Sequence, residues 1–418
     1  MNIEGFSPPP QSPIRDRDVP LDGHHLAGKR VALLVTGGIA AIKAPLIARA
    51  LRRRGANVVV FTSNEALRYT TREALEWSSN NPVITQLTAN AEHLSDSDPF
   101  EAYLVAPATY NTINKIAHGI SDSPVTTALA VAIGRMERSL STLLIAPTMH
   151  GTLHNSLLTE SLHKLVDMGV HIIPPRSGYG KHNIPSEEML VSEVCRATSN
   201  SPLRNQATLV TGGPIPTPID EVRQITNRFT GQLGNEIATE LYLRGADVLL
   251  VHGSSTIQPP DWVPSLYAPS YSNYYTYVMN ALKEKQYAAG VFSAAVTDFQ
   301  INTPRRGKIP SNGPLSLELV PTAKIIDEVK SRFPHIYLVT FKYEQNRSHQ
   351  QLMSIAQQRI KNGFPLVVAN RGNETGPDGE QIAYLLTSSG PPQKATGKPA
   401  IARAITDQLE LVLAPRSR

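Results

Sequence analysis

The pentapeptide LVTGG occurs twice in the chain, at Leu34–Gly38 and again at Leu209–Gly213. Each copy follows a run of β-branched residues and precedes an amphipathic stretch that ends in RGA and a second apolar run, NVVVF or DVLLV. The order strand, glycine turn, helix, strand is that of a βαβ unit, which opens a parallel sheet. The repeat therefore predicts two nucleotide-binding-type halves.

Continuous apolar runs alternate with helical patterns along both halves, which predicts parallel sheets covered on both faces. In the first half the runs are VALLVTG, NVVVFTS, AYLVAPAT, TLLIAPTM and VHIIPP; in the second they are ATLVTGG, DVLLVHG, AGVFSAAVTDF, IYLVTFK, PLVVANR and IAYLLTSSG. We expect an α/β protein with two Rossmann-like parallel-sheet domains. The boundaries are a flexible tail at 1–26, a first domain at 27–196, a polar linker at 197–206 and a second domain at 207–418.

The composition excludes several classes of protein. Hydrophobic residues make up 41% and charged residues 18% of the 418, as in globular proteins. The formal charge of +5 is modest and scattered, so anionic small ligands explain it as well as nucleic acid would, and we expect no nucleic-acid partner. The single cysteine, Cys195, excludes an intrachain disulfide and a thiolate metal cluster. Neither a signal peptide nor a membrane span is indicated, so we expect a cytoplasmic protein.

The two βαβ units differ in length. Gly37 and Arg54 lie 17 positions apart, whereas Gly212 and Arg244 lie 32 apart, so the second unit carries about 15 extra residues, chiefly PIPTPIDEVRQITNR. An insertion between strand and helix falls at the carboxyl edge of the sheet, where open α/β proteins bind ligands. A dehydrogenase that uses NAD is not indicated, because neither copy supplies G-x-G-x-x-G with an acidic residue ending the second strand.

The first domain carries a long and particular motif between Ala91 and Thr127: a histidine fourteen residues before the proline of APAT, then Asn111, Lys115 and a TT pair. It resembles the flavoprotein family of homo-oligomeric cysteine decarboxylases, most closely the phosphopantothenoylcysteine decarboxylase half of the bifunctional coenzyme A biosynthesis proteins. The resemblance implies a flavodoxin-like domain with His93 as the catalytic base; a surface histidine in a polar loop is the alternative. It also implies an FMN site lined by Gly38, Ser63, Ala108, Thr109 and Asn111.

Two segments depart from this family's pattern. PTMH stands where the family has PxMN, so His150 takes the place of the asparagine that binds the substrate carboxylate. The flap PPRSGYGKHN keeps Gly178, Gly180 and Lys181 but lacks the cysteine that protonates the enethiol in the family. Flavin oxidation of a thiol makes loss of carbon dioxide easy, because the carbanion is delocalised into C=S. Besides normal decarboxylation, which these departures disfavour, three outcomes stay open: a stop at the enethiol with reduced flavin, a carboxylate placed differently by His150, or an inactive site.

The second domain, from Ala207 to about Gly390, is similar to the CTP-dependent phosphopantothenate-cysteine ligase half of the same family. TGGPIPTPIDEVRQITNRFTGQLG matches TAGPTxExIDPVRxISNxSSGxMG, SAAVTDFQINTPRRGKI parallels AAAVADYxP…KIKK, and LELVPTAKII parallels LxLxPTPDIL. The implied reaction has two steps. The carboxylate of 4′-phosphopantothenate attacks the α-phosphate of CTP and expels pyrophosphate, and the amine of cysteine then attacks the acyl-cytidylate, with Mg²⁺ as the expected partner of the triphosphate.

Both transition states gather negative charge, so the site needs a cation and hydrogen-bond donors. Lys308 is the cation we choose, and Asn227 matches the residue with which the family turns over the acyl-cytidylate. An exposed lysine and a helix cap are the alternatives for these two residues. The nucleotide site is expected to include Gly212, Asp298 and Phe341, while Gly231 and Gly234 can help bring backbone amides to the phosphates.

The ligase pattern is altered as well. TFKYE, at Thr340–Glu344, replaces GFAAE; Gln358 and Asn362 replace two lysines; and ANR replaces AND. The lost cations could be restored from other positions by Lys342, Lys361 and Arg371. The identity of the nucleotide and of the substrates is therefore more open than the type of reaction.

Three functions are consistent with these motifs. The first is a flavoprotein fused to a CTP-dependent ligase of 4′-phosphopantothenate and cysteine. The second is a diverged paralogue that ligates or oxidatively decarboxylates another substrate, which the altered flap, PTMH and TFKYE favour. The third is a flavin-binding regulatory protein, which the presence of Asn227 and Lys308 disfavours. The resemblance also implies a homo-oligomer.

Overall fold

The computed structural model of the chain describes residues 10–94, 96–302 and 306–414. The chain divides into two units, Met1–Ser199 and Asn200–Arg418. The division falls inside the segment expected as a linker. Within the second unit, however, Leu203 is fully buried in a core cluster that includes Val210, so part of this segment belongs to the folded unit.

The first unit is built on a five-stranded parallel sheet in the order β2-β1-β3-β4-β6. Its strands are β1 Arg30–Val35, β2 Asn57–Thr62, β3 Ala102–Ala108, β4 Thr142–Pro147, β5 Met149–His150, β6 His171–Ile172, β7 Arg176–Gly178 and β8 Lys181–Asn183. Its helices are α1 Ala44–Arg53, α2 Arg72–Ser79, α3 Tyr110–Ala117, α4 Pro124–Glu137, α5 Ser156–Asp167 and α6 Glu187–Ala197. Short 3-10 turns occupy Ile39–Lys43, Ala66–Arg68 and Gly151–Leu153.

The core of the first unit follows from its apolar runs. All seven residues of β3 and five of the six in β1 are buried, as expected for strands covered on both faces. The residues before β1 differ from the expected tail over the part that the structure describes. Leu26 is fully buried, Arg17 donates to the Glu76 carbonyl at 2.8 Å, and Arg52 donates to the Arg17 carbonyl at 2.7 Å. Apolar and arginine side chains thus attach this segment to α1 and α2.

The second unit has an eight-stranded sheet in the order β14-β13-β9-β15-β19-β20-β21-β22. Its strands are β9 Ala207–Gly212, β10 Pro214–Ile215, β11 Thr217–Pro218, β12 Gln224–Ile225, β13 Asp247–His252, β14 Ser265–Tyr267, β15 Ala289–Phe292, β16 Ala295–Val296, β17 Phe299–Ile301, β18 Leu319–Pro321, β19 Tyr337–Glu344, β20 Leu366–Arg371, β21 Ile382–Thr387 and β22 Gln393–Thr396. Its helices are α7 Gln232–Leu243, α8 Tyr271–Glu284, α9 Ile325–Arg332, α10 His349–Lys361 and α11 Lys398–Leu413.

These two sheets confirm the predicted α/β fold with two Rossmann-like domains, with one difference at the edge of the second sheet. The first six strands in the sheet order, β14-β13-β9-β15-β19-β20, are parallel to one another. Strand β21 runs antiparallel to β20, and β22 runs antiparallel to β21. The reason is the short connection between Arg371 and Ile382, which contains no helix. A parallel crossover needs a dozen or more residues, usually including a helix.

The insertion in the second βαβ unit forms short strands at the carboxyl edge of the sheet. Strand β10 pairs with β16, which follows β15, and β11 pairs with β12. The inserted residues therefore join the loop after β9 to the loop after β15. Among the described residues, no helix is long and apolar enough to cross a membrane.

Candidate functional site

In the first unit, Thr36 connects the loops that follow β1 and β3. Its hydroxyl is buried, donates to the Pro107 carbonyl at 2.7 Å and accepts the Thr109 backbone N–H at 3.2 Å. The Thr109 hydroxyl in turn caps α3 by accepting the Thr112 N–H at 3.4 Å. Thr36 lies inside the first LVTGG motif, but it was not predicted as a site residue because the interpretation of this motif rested on its two glycines.

The five residues predicted to hold a flavin lie on three adjacent strand ends. Gly38 follows β1, and a Cβ built on it would lie 3.4 Å from the Thr109 methyl group. Ser63 follows β2, and its Oγ accepts the Ala66 N–H at 3.3 Å. Ala108 is buried at the end of β3, and Asn111 is exposed in the first turn of α3. Strands β2, β1 and β3 are neighbours, so the structure brings these predicted residues to one edge.

This edge fits a phosphate-bearing planar cofactor. Gly37 allows the close approach of the loops after β1 and β2, because a Cβ at that position would collide with the Glu65 side chain. Hydroxyl groups, the exposed amide of Asn111 and the start of α3 all lie at the carboxyl edge of parallel strands. Such an edge supplies donors to an anionic group and leaves the backbone accessible to a flat ring.

His93 lies in the turn before β3 and is partly buried. Its Nδ1 is fully buried and has no hydrogen-bond partner among the described residues. The adjacent Glu92 accepts hydrogen bonds from the Thr88 side chain and backbone N–H, which hold the pKa of the Glu92 carboxyl below its usual range. A half-buried imidazole with an orphaned nitrogen differs from the freely solvated surface histidine that was the alternative.

The two departures in the first unit are brought together in one small sheet of order β5-β8-β7. His150 pairs with Lys181 of the flap strand β8, and the Gly151 N–H donates to the Gly180 carbonyl at 2.8 Å. A Cβ on Gly151 would lie 2.5 Å from that carbonyl oxygen, so the contact requires glycine. His150 itself is exposed, with Nδ1 2.9 Å from the Thr152 hydroxyl.

The flap is also held by a histidine pair. His154 Nδ1 and His182 Nε2 lie 2.8 Å apart, which joins the turn before α5 to β8. Cys195 is buried within α6 and is not a residue of the flap. The flap and PTMH were interpreted as separate changes, because pairing between strands more than 30 residues apart leaves no local pattern in the sequence.

In the second unit, a cavity of about 720 Å³ opens at the carboxyl edge of the sheet. The predicted residues Asn227, Asp298 and Phe341 are among those that line it. Asn227 Nδ2 donates to the Ala295 carbonyl at 3.0 Å, which joins the inserted segment to the loop after β15. Asn227 is not a helix cap, because the N-cap of α7 is Gly231. The alternative role of Asn227 as a helix cap is therefore wrong.

Gly212 does not line this cavity; the next residue, Gly213, does. Gly212 instead lets α7 pack directly on β9, since a Cβ on Gly234 would lie 2.7 Å from the Gly212 Cα. Gly231 has a φ of +81°, and a Cβ at this position would collide with the Ser255 side chain. These glycines set the amino terminus of α7 against the cavity, where its backbone N–H groups can meet an anion.

The packing of α7 on β9 gives a prediction about stability. Gly234→Ala should lower the free energy of unfolding of the second unit by about 1–3 kcal/mol, because an added methyl group must push the helix from the strand. Gly134→Ala is the matched control, since Gly134 lies within α4 and a Cβ there meets no atom within 4 Å. Urea unfolding should show destabilisation for the first variant only. Equal stability of Gly234→Ala and the wild type would contradict the close contact.

Lys308 is exposed and does not line the cavity, but its neighbour Ile309 is tightly held. Asp220, in the inserted segment, accepts the Ile309 N–H at 3.0 Å, and Arg223 donates to the Ile309 carbonyl at 3.1 Å. The Ile309 amide, with the backbone amides of Val222 and Arg223 and the Arg223 guanidinium, holds the pKa of the Asp220 carboxyl far below its usual range. The inserted segment therefore fixes the loop that carries Lys308.

The low pKa of Asp220 predicts how stability depends on pH. A carboxyl group whose pKa is lower in the folded than in the unfolded state stabilises the fold above the unfolded value of about 3.9. This stabilisation is lost as the pH falls through the folded value. Asp220→Asn should therefore melt at a lower temperature than the wild type at neutral pH, and the gap should close as the pH falls below about 3.9. Thermal melts across this range would contradict the account if the gap were constant or grew in acid.

Two of the three cations proposed to restore lost charge, Lys342 and Arg371, line the cavity, and both are engaged with carboxylates. Lys342 pairs with Glu344 at 2.9 Å, and Arg371 pairs with Glu374 at 2.7 Å. Lys361 is exposed and does not line the cavity. Three cations that sequence reasoning missed do line it: Lys324, Arg359 and Lys398.

Of these three cations, Lys398 lies at a helix terminus and has a side-chain partner. It is the first residue of α11, where a cation opposes the helix dipole, and it donates to the neutral Gln232 Oε1 at 2.9 Å. A lysine following glycine at the start of an amphipathic pattern is the signal that could have identified it. Among the described residues, no group of three His, Cys, Asp or Glu side chains could hold a metal ion.

Comparison with known proteins covers nearly the whole chain. Residues 21–201 match the family model described as Flavoprotein, and residues 203–412 match that of the DNA/pantothenate metabolism flavoprotein C-terminal domain. The coenzyme A biosynthesis bifunctional protein CoaBC of Thermococcus kodakarensis is 35% identical over 395 residues, which are 93% of this chain and 96% of that protein. Its Bacillus subtilis counterpart is 28% identical over 370 residues, 82% of this chain and 86% of that protein. A solved DNA/pantothenate metabolism flavoprotein from Streptococcus pneumoniae is 25% identical with a TM-score of 0.44, covering 50% of this chain and 99% of that one.

Proposed function

The chain belongs to the family of coenzyme A biosynthesis bifunctional proteins, and from that premise we propose that its second unit joins 4′-phosphopantothenate to cysteine with CTP. We propose that its first unit binds FMN and acts on the thiol that this ligation produces. A flavoprotein domain followed by the ligase-type domain is the order predicted from the sequence. The family relationship is the basis for the reaction type, and the site residues support its assignment to particular side chains.

The observation that carries the ligase proposal is the cavity lined by Asn227, Asp298 and Phe341 at the amino terminus of α7. In the first step, a carboxylate oxygen bonds to the α-phosphorus and the bond to pyrophosphate breaks. Lys324 and Lys398, with the α7 amides, are placed to balance the charge of the triphosphate. Mg²⁺ is the ion that ordinarily accompanies such a triphosphate.

In the second step, the amine nitrogen bonds to the acyl carbon, CMP leaves, and the nitrogen gives up a proton. Negative charge gathers on the acyl oxygen, and one N–H of Asn227 remains to donate to it, because the amide has two and Ala295 takes one. Asp298 is proposed to contact the nucleotide, and Phe341 to line its pocket. Lys308 lies on a neighbouring loop that the Asp220 bonds hold in place, and its flexible side chain is proposed to extend toward the site when substrates bind.

For the first unit, we propose an FMN site formed by Gly38, Ser63, Ala108, Thr109 and Asn111. FMN, when bound, supplies the oxidation of a thiol that makes decarboxylation easy. His93 is the proposed base, since its imidazole is half-buried beside the ionised Glu92. The cysteine-free flap around His150 and Lys181 favours release of an enethiol, which would leave the two electrons of the thiol oxidation on the flavin, over the saturated thiol, whose formation would return them. A homo-oligomer and a cytoplasmic location remain predictions of the same family relationship.

Exchange of labelled pyrophosphate into CTP tests the ligase proposal directly. The exchange should require 4′-phosphopantothenate but not cysteine, because the acyl-cytidylate forms before the amine reacts. Exchange that needs no acid substrate, or none with any acid substrate while CMP still forms, would contradict the two-step reaction.

A further inference from the structure

Two aromatic side chains stand at the mouth of the cavity in the second unit. The rings of Phe229 and Tyr343 meet edge to face, with centroids 5.4 Å apart and planes at 85°. Both residues line the cavity, yet they are 47% and 42% exposed. We call this pair the aromatic lip. It leaves ring surface open to whatever enters the cavity.

One ring of the aromatic lip, that of Tyr343, is held in place by its own contacts. The Tyr343 hydroxyl donates to Gln345 Oε1, and a Cβ on Gly372 would collide with the same hydroxyl, so the ring packs directly on the backbone at Gly372. Phe229 stands between Asn227 and Gly231, the N-cap of α7. A ring held as that of Tyr343 is loses little conformational entropy when a ligand binds, which favours affinity.

The two rings are a feature of this chain and not of the pattern that it resembles. Phe229 stands at a serine of the pattern ISNxSSG, and Tyr343 stands at an alanine of GFAAE. The two residues are more than 100 positions apart and lie on different elements, but they contact each other. Two residues that both differ from the pattern and that touch each other at one cavity indicate that one contact with the ligand is altered.

The floor of the same cavity carries an unused polar group. Thr340 is fully buried and lines the cavity, and its hydroxyl has no hydrogen-bond partner among the described residues. It lies three residues before Tyr343 on β19, about 10 Å away along the strand. A buried hydroxyl without a partner is costly unless a ligand supplies one. An aromatic mouth suits a nucleobase, which has flat faces, while the hydroxyl lies far enough along the strand to meet another part of the ligand.

We propose that the aromatic lip stacks on the nucleobase of the bound nucleoside triphosphate, and that this contact lets the cavity take ATP as well as CTP. The identification of a nucleotide as the ligand rests on the proposed function of the second unit. Because the two rings are nearly perpendicular, a base can stack on the face of only one of them while the other ring meets its edge. Stacking tolerates any base, since every base has a π face, and the larger ring system of a purine covers more of that ring. Base selection in this chain is therefore governed partly by stacking and not by hydrogen bonds alone.

Equilibrium dialysis of the full-length protein with CTP and with ATP tests this contact without requiring catalysis. The wild type should bind ATP with a Kd within about tenfold of that for CTP. Phe229→Ser combined with Tyr343→Ala should weaken ATP binding by roughly ten- to a hundredfold, and CTP binding by less, as expected for the loss of base stacking. Tyr267→Ala is the matched control, because Tyr267 is 53% exposed and does not line the cavity.

Two results would overturn the proposal: no measurable ATP binding by the wild type, or an unchanged Kd for ATP in the double variant. Amide formation from 4′-phosphopantothenate and cysteine is measured separately on the same preparations. If no amide forms with either nucleotide while the Kd values shift as expected, the stacking contact stands and the assigned reaction fails.

Discussion

Asn227→Ala should slow amide formation in the second unit by roughly a hundred- to a thousandfold, which is the usual cost of removing one preorganised donor to a developing oxyanion. Asn227 is held by its bond to the Ala295 carbonyl and lines the cavity beside the amino terminus of α7. Alanine removes the second N–H that would meet the acyl oxygen. The first step does not use that N–H, so the acyl-cytidylate should accumulate and pyrophosphate release should continue for about one turnover.

Asn235→Ala is the matched control for this variant. Asn235 donates its Nδ2 to the Ile257 carbonyl at 2.8 Å, a bond of the same type, but it does not line the cavity. Rapid-quench mass spectrometry of both variants would separate the two steps. Amide formation by Asn227→Ala at the wild-type rate, or an equal loss in both variants, would contradict a direct role for Asn227 in the second step.

The second large effect is expected in the first unit. His93→Asn should slow reduction of bound flavin by the thiol substrate by at least about a hundredfold, within the range of 10² to 10⁴ for loss of a general base. Asparagine preserves polarity but cannot take the proton. The flavin should still bind, because the residues proposed to hold it lie at the ends of β1, β2 and β3.

Anaerobic bleaching of the flavin absorbance in the full-length protein measures this rate. His163→Asn serves as the control, since His163 is exposed on α5. Normal bleaching in His93→Asn would return His93 to the alternative of a structural residue in a polar loop. Loss of bound flavin in this variant alone would instead assign His93 to cofactor binding.

The central strands were predictable because burial on both faces leaves a direct trace in the sequence. Each apolar run named from the sequence corresponds to a strand of one of the two sheets, from β1 at Arg30–Val35 to β21 at Ile382–Thr387. The strands β14 and β22 at the two edges of the second sheet were missed, since SLY and QKAT are short and largely exposed. The reversal of β21 was missed as well, because apolar runs do not encode strand direction.

The sites were predictable where a motif places residues next to a strand end. Asn227 follows β12, Asp298 follows β16 and Phe341 lies within β19, and the cavity brings the three together. Lys398 was not found, because it lies more than 160 positions from Gln232, to which it donates. The position of Lys308 outside the cavity wall also has no local signal, since it depends on the bonds between Asp220 and Ile309. Contacts between distant segments are what the sequence pattern leaves out.

Product analysis by mass spectrometry tests the central claim most directly. The full-length protein, loaded with FMN, is incubated with CTP, Mg²⁺, 4′-phosphopantothenate and cysteine. We expect the amide of the two substrates together with CMP and pyrophosphate, followed by loss of carbon dioxide to give the enethiol in larger amount than the saturated thiol. The absence of both amide and CMP from a folded, yellow preparation would contradict the assignment of this ligation to the second unit.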